Sequence, residues 1–164
     1  MTNDRPHCVV LGVGNADRGD DAAGPAVARN LRSLLPPGIQ IMEHGGEATA
    51  LIRQMDGAER VFLIDACVSG ARPGTIHRFD VSAAPVPAVA LGLSSHGFGV
   101  AAAVELARAL GQLPRQCIIY AIEAASFEIG APLSPMVAAG VVEVAGRVFA
   151  EIASYANQEG GQHA

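Results

Sequence analysis

The sequence predicts an α/β protein: a three-layer α/β/α sandwich around a central, mostly parallel but mixed sheet of about five strands. Three observations carry that prediction. Short apolar runs alternate with helical patterns along almost the whole chain, as repeated βα units require. The turn Arg72-Pro73-Gly74 joins two strand-like runs by a link too short for a parallel crossover, so the two are expected to be antiparallel neighbours in a mixed sheet. Finally, the chain has 164 residues, 50% of them hydrophobic and 16% charged. That is enough apolar material for one real core without disulfides, and the opposite of a disordered composition.

The elements follow in order. Cys8–Val13 is short, apolar and β-branched, and Gly14-Asn15 ends it, which reads as a buried strand. Asp20-Asp21 opens a helix to about Leu35, with Val27, Leu31, Leu34 and Leu35 as its apolar stripe and Pro36-Pro37 as its stop. Ile39–Met42 is a second strand leading to His44-Gly45-Gly46, and Ala48–Met55 a short helix. Arg60–Ile64 is a third strand closed by Asp65, and Thr75–Phe79 a fourth. After a Pro- and Ala-rich linker, Ala83 to Ala90, Ser95 is expected to cap a helix to about Gly111. Gln116–Ile122 is a fifth strand, and a last helix runs from Ser134 to Tyr155, with Ser134-Pro135 suited to a helix start. Residues 1–156 are expected to form one domain, and the polar segment 157–164 a disordered tail.

Composition excludes several classes of function. A net charge of −5 argues against a nucleic-acid or anionic-membrane surface. All eleven basic residues are Arg. No stretch approaches the roughly 20 apolar residues of a membrane helix, so no membrane partner is expected. Cys8, Cys67 and Cys117 lie far apart without a CxxC pair. Their odd count and the lack of a secretory leader suit a reducing cytoplasm, with Cys8 and Cys117 as small buried hydrophobes.

In sheets of this kind ligands bind beyond the carboxyl ends of the strands. The polar residues there are Gly14 to Asp21, His44-Gly45-Gly46-Glu47, Asp65 and Ser94-Ser95-His96. A dinucleotide fingerprint fails in the first of these loops. Its third glycine would fall at Asp17, and Asp20-Asp21 would repel a phosphate. Asp20 is the better helix cap, which leaves Asp21 to project from the first turn. Two carboxylates and an imidazole, Asp21, Asp65 and His96, make an oxygen/nitrogen metal site with open positions, and ligand type alone does not choose among nickel, iron, manganese and zinc. No Gly-x-Ser-x-Gly elbow occurs, and no cysteine has the setting of a nucleophile. His7, His77 and His163 have no matching partners, and Glu123 and Glu128 read as a solvated loop.

Four spaced blocks resemble the [NiFe]-hydrogenase maturation endopeptidases. They are Leu11–Asn15 with Gly19–Gly24, Leu63–Ala66 with Pro73-Gly74-Thr75, Ser94-Ser95-His96 with the helix after it, and Ser126–Glu128 with Leu133–Val137. The match spans roughly residues 8 to 150 in the right order. The resemblance implies a single-domain cytoplasmic endopeptidase that trims a C-terminal extension from the hydrogenase large-subunit precursor after nickel insertion. It implies Asp21, Asp65 and His96 as the metal-binding and catalytic residues, with nickel carried by the substrate, and a monomer. Gly14, Asn15, His44, Gly45 and Gly46 are the expected substrate-binding positions. The chain departs from the family pattern at His44, where an Asp is frequent, and at Glu123-Ala124-Ala125, which lacks a Pro-Glu pair. The competing readings are a nonproteolytic nickel- or precursor-binding chaperone on the same fold, and a metal-independent peptidase like the spore-germination proteases.

Overall fold

A computed structural model of the chain describes residues 7–87 and 99–161. The strands are β1 (Cys8–Val13), β2 (Gln40–His44), β3 (Arg60–Cys67), β4 (Ile76–Asp80) and β5 (Gln116–Glu123). They form one sheet in the order β2-β1-β3-β5-β4. The first four in that row are mutually parallel, and β4 pairs antiparallel with β5; the short turn reverses the chain as expected, but β4 is not the neighbour of β3, because β5 lies between them. The helices are α1 (Ala23–Leu34), α2 (Ala48–Met55), α3 (Gly99–Ala109) and α4 (Pro135–Gly160), and a 3-10 turn at Gly19–Ala22 precedes α1.

The continuous apolar strands conceal an alternation that sorts their side chains onto two faces. Val9, Leu11, Val61, Leu63, Cys117 and Ile119 meet α2 and α3 through Leu51, Met55, Val100 and Val104. Val10, Phe62, Ile64, Ile118, Tyr120 and Ile122 meet α1 and α4 through Val27, Leu31, Val141, Val144 and Val148. The predicted three layers are therefore present, with a separate apolar core on each side of the sheet. Gly24 makes the closest approach of helix to sheet. A Cβ on it would stand 2.3 Å from the Val13 carbonyl oxygen and 2.4 Å from that of Ile64, so only glycine lets α1 lie across β1 and β3 at this depth.

Three boundaries differ from the sequence expectation. Strand β3 does not close at Asp65 but runs on to Cys67, because β5 continues the ladder through Cys67↔Glu123. The helix expected from Asp20 begins as the 3-10 turn and becomes α-helical only at Ala23. Helix α4 passes Tyr155 and continues through Asn157 to Gly160, into the segment expected to be a disordered tail. Glu159 meets the His7 imidazole at 2.9 Å and Arg60 at 3.5 Å, and the Arg60 guanidinium lies over the Tyr155 ring at 3.9 Å, which ties the helix end to the starts of β1 and β3. No helix among the described residues is long and apolar enough to cross a membrane.

Candidate functional site

The strand order reverses direction between β1 and β3: from β1 the chain steps outward to β2, then crosses back to β3 on the other side. Such a reversal opens a crevice at the carboxyl edge, because the connections leave on opposite sides. The two acids of interest sit there. Asp21 lies in the 3-10 turn after β1, Asp65 lies within β3, and both are fully buried.

The loop from Gly14 folds back to place Asp21. Gly14 adopts φ +140°, and a Cβ there would stand 2.0 Å from the Asp21 carbonyl oxygen, so a side chain would push the acid out of position. The Asn15 amide donates to Asp21 Oδ2 at 2.9 Å. Asp65 Oδ1 accepts from the Ala66 amide at 2.8 Å. The other two oxygens, Asp21 Oδ1 and Asp65 Oδ2, are buried and have no hydrogen-bond partner among the described residues. Burial and then the neighbouring Asp21 charge push the Asp65 carboxyl well above the ordinary value. A second buried carboxylate beside it makes ionising Asp65 costlier still. The pair therefore demands a proton or a cation, and its two open oxygens are hard donors suited to a divalent ion.

His44 ends β2 beside this crevice. Its carbonyl accepts from the Gly14 amide at 3.0 Å, and its Nδ1 accepts from the Gly46 amide at 2.9 Å. With Nδ1 engaged as acceptor, the neutral ring carries its proton on Nε2. Burial holds the ring below its usual value against the pull of Glu47. His44 thus presents an N–H donor, suited to a substrate carbonyl rather than to a metal. The Gly46 bond should fail on acidification, as pH falls through the lowered His44 value. Exchange of the Gly46 amide with deuterium is expected to accelerate there beyond its intrinsic pH trend, and His44→Ala to show the faster exchange already at neutral pH.

Asp20, expected as the helix cap, caps nothing. Its carboxylate instead reaches across to the segment between β5 and α4. It accepts from the Ala125 amide at 2.8 Å, the Ser126 amide at 3.0 Å, the Ser134 amide at 2.7 Å and the Ser134 hydroxyl at 2.8 Å. Burial pushes this carboxyl up, but the four donors outweigh it and hold the group below its ordinary value. Asp20→Ala strands those donors and is expected to cost about 2–4 kcal/mol in urea unfolding at pH 7. The stabilisation is present above the ordinary carboxylate value and is lost as pH falls through the lowered one, so the two proteins should converge in acid.

Of the residues expected at the site, the structure brings together Asp21, Asp65, Gly14, Asn15, His44, Gly45 and Gly46. His96, with Ser94 and Ser95, lies outside the described residues. Glu123 is not in a solvated loop; it is 1% exposed at the end of β5. Nor is His77 without a partner, since its Nε2 is 3.2 Å from Glu123 Oε2. The antiparallel β4 expected from the turn was the one signal that could have joined them.

Together, the switch-point crevice and its buried acid pair define an α/β protein with two carboxylates at the carboxyl edge of its sheet. A family model described as hydrogenase maturation protease (HycI) matches residues 25–151. That span includes Asp65 and His96 and begins just after Asp21. The chain is 27% identical over 130 residues to the hydrogenase expression/formation protein HupM of Azotobacter chroococcum, covering 78% of this chain and 62% of that one. It is 28% identical over 148 residues to the hydrogenase 2 maturation protease of Escherichia coli, covering 88% and 89%. The solved hydrogenase maturating endopeptidase HybD of E. coli superposes with a TM-score of 0.76 at 26% identity, covering 91% of this chain and 93% of that one. The chain belongs to the hydrogenase maturation protease family.

Proposed function

We propose that the protein is an endopeptidase that removes the C-terminal extension of a [NiFe]-hydrogenase large-subunit precursor after nickel insertion, and that it finds its substrate through the nickel the precursor carries. The observation that carries this reading is the pair of oxygens, Asp21 Oδ1 and Asp65 Oδ2, buried at the switch point without a hydrogen-bond partner among the described residues. Asp21, Asp65 and His96 form the donor set. His96 is three residues from Gly99, whose backbone packs so closely on Gly46 that a Cβ would stand 2.4 Å from the Gly46 carbonyl oxygen.

Three protein donors leave coordination positions that the precursor's own ligands fill, so the nickel is shared between the two proteins. Sharing it fixes the scissile peptide relative to this edge of the sheet, which converts recognition into positioning. The Gly14-Asn15 and His44-Gly45-Gly46 loops flank the acids and supply the contacts to the peptide backbone, with His44 Nε2–H as a donor. A nickel-free precursor lacks the shared ion and is left uncut. The enzyme works as a monomer in the cytoplasm, on this one protein partner.

The test incubates the protein with nickel-loaded and nickel-free precursor and follows the mass of the large subunit. Loss of a C-terminal peptide from the loaded form alone is expected. Binding without cleavage would instead identify a maturation chaperone, and equal cleavage of both forms a metal-independent peptidase. The raised Asp65 carboxyl adds a pH signature: a cation must displace its proton. Affinity for free Ni2+ should therefore weaken about tenfold for each pH unit below the Asp65 value, measured by calorimetry, and level off above it.

A further inference from the structure

Next to the acid pair, the ends of β3, β4 and β5 bring a thiol, an imidazole and a carboxylate to one point. Cys67, His77 and Glu123 each offer a ligand atom, and these three atoms all lie within 4.8 Å of one another. The convergence is on a single oxygen, Glu123 Oε2, which stands 3.2 Å from Cys67 Sγ, 3.2 Å from His77 Nε2 and 2.8 Å from the Ser69 hydroxyl. Organisation of the β3–β4 loop explains the other oxygen, Oε1, which accepts from the Ser69 and Gly70 amides at 2.6 and 3.0 Å. It does not explain why a thiol and an imidazole from two further strands meet on Oε2.

We propose that Cys67, His77 and Glu123 form a second metal site, separate from the Asp21/Asp65 pair, that binds one zinc-class divalent ion and clasps the ends of the three strands together. The donor set of one thiolate, one imidazole and one carboxylate is that of zinc and its neighbours in the d-block. The spacing fits as well. With about 2.3 Å to sulfur and about 2.0–2.1 Å to nitrogen and oxygen, adjacent ligand atoms of a tetrahedral shell stand roughly 3.3–3.5 Å apart, close to the 3.2 Å from Glu123 Oε2 to Cys67 Sγ and to His77 Nε2. Charge also favours the ion. Glu123 is a buried anion, and a divalent cation with one thiolate and one carboxylate leaves the site neutral, which is the cheap arrangement in a dry interior. Binding releases the Cys67 proton to solvent, while His77 coordinates through Nε2 as the neutral ring.

The supporting shell is already in place. The Ser69 hydroxyl and the Ser69 and Gly70 amides orient the carboxylate, and the His77 ring stacks on Phe79 with centroids 6.2 Å apart and planes 3° from parallel. Such outer partners are what hold ligands ready for an ion. Cys67 and Glu123 are almost wholly buried while the His77 side chain is 22% exposed, so the ion enters past His77.

The inference is tested with Co2+ as the probe, added to the full chain carrying Asp21→Asn and Asp65→Asn so that the neighbouring acids are silenced. One equivalent is expected to produce a thiolate-to-cobalt charge-transfer band that Zn2+ then displaces. Cys67→Ser should abolish the band, whereas Cys8→Ser and Cys117→Ser should retain it. His77→Ala, at the sheet edge where folding is least at risk, should weaken Co2+ affinity about tenfold or more. No charge-transfer band in a folded protein, a band that survives Cys67→Ser, or an affinity unmoved by His77→Ala would each overturn the proposal. None of these outcomes depends on proteolysis, so the site stands or falls apart from the proposed activity.

Discussion

Asp65→Asn is expected to melt at a higher temperature than the natural protein at neutral pH, while cutting nickel-loaded precursor at least about 100-fold more slowly. The two effects share one cause. Asp65 is fully buried, one of its oxygens has no partner among the described residues, and its carboxyl is pushed up by burial and by Asp21. In the unfolded chain the group ionises at its ordinary value. Below that value both states carry the proton and the acid costs nothing. The penalty grows as pH rises from there and is complete once pH passes the raised folded value. Asparagine keeps an acceptor for the Ala66 amide and removes the charge, a gain of about 1–3 kcal/mol at pH 7 that vanishes in acid. On the proposed reading the same change removes an anionic donor for the precursor's nickel, which is where the expected loss of cleavage comes from. Melting curves from pH 3 to pH 8, beside precursor cleavage followed by mass, check both halves. A variant that melts lower at pH 7, or that cuts at the natural rate, contradicts the account of the site.

Gly24→Ala is expected to be strongly damaging, at about 3 kcal/mol or more. The added carbon would meet two main-chain carbonyl oxygens, of Val13 and Ile64, and the Val13 nitrogen at 2.7 Å. None of these atoms is a flexible side-chain end that can swing aside. Relief requires α1 to lift from β1 and β3 together, and that lift carries Asp21 away from Asp65. Urea denaturation gives the stability loss. A variant as stable as the natural protein would mean that the helix tolerates a register shift this packing forbids.

Most of the scaffold was legible because its signals are local. Period, β-branching and turn residues mark all five strands and the helices, and the turn at 72–74 signalled the reversal of β4 but not that β5 would lie between it and β3. The errors fall where the deciding contact is distant in sequence. Asp20 sits just before a helix and looks like its cap, yet its four donors come from Ala125, Ser126 and Ser134. Glu123 follows an apolar run and looks like the start of a loop, yet Ser69, Gly70, Cys67 and His77 bury and satisfy it. A carboxylate accepts from whatever donors the fold delivers, so its local sequence says little about its role. Asp21 and Asp65 were singled out because one follows the first apolar run and the other was read as closing the third, where the class of fold already says to look.

The pairing of β1 with β3 joins Cys8 to Arg60, and that of β3 with β5 joins Arg60 to Gln116. Each closes a loop of more than 50 residues, and such closures come late and slowly during folding. Asp21 and Asp65 belong to the two sides of the first closure, so neither a nascent chain nor a half-folded one presents both carboxylates together. The acid pair therefore exists only once β1 and β3 have come together. On the proposed reading, a chain in which that closure has not formed cannot engage a nickel-bearing partner.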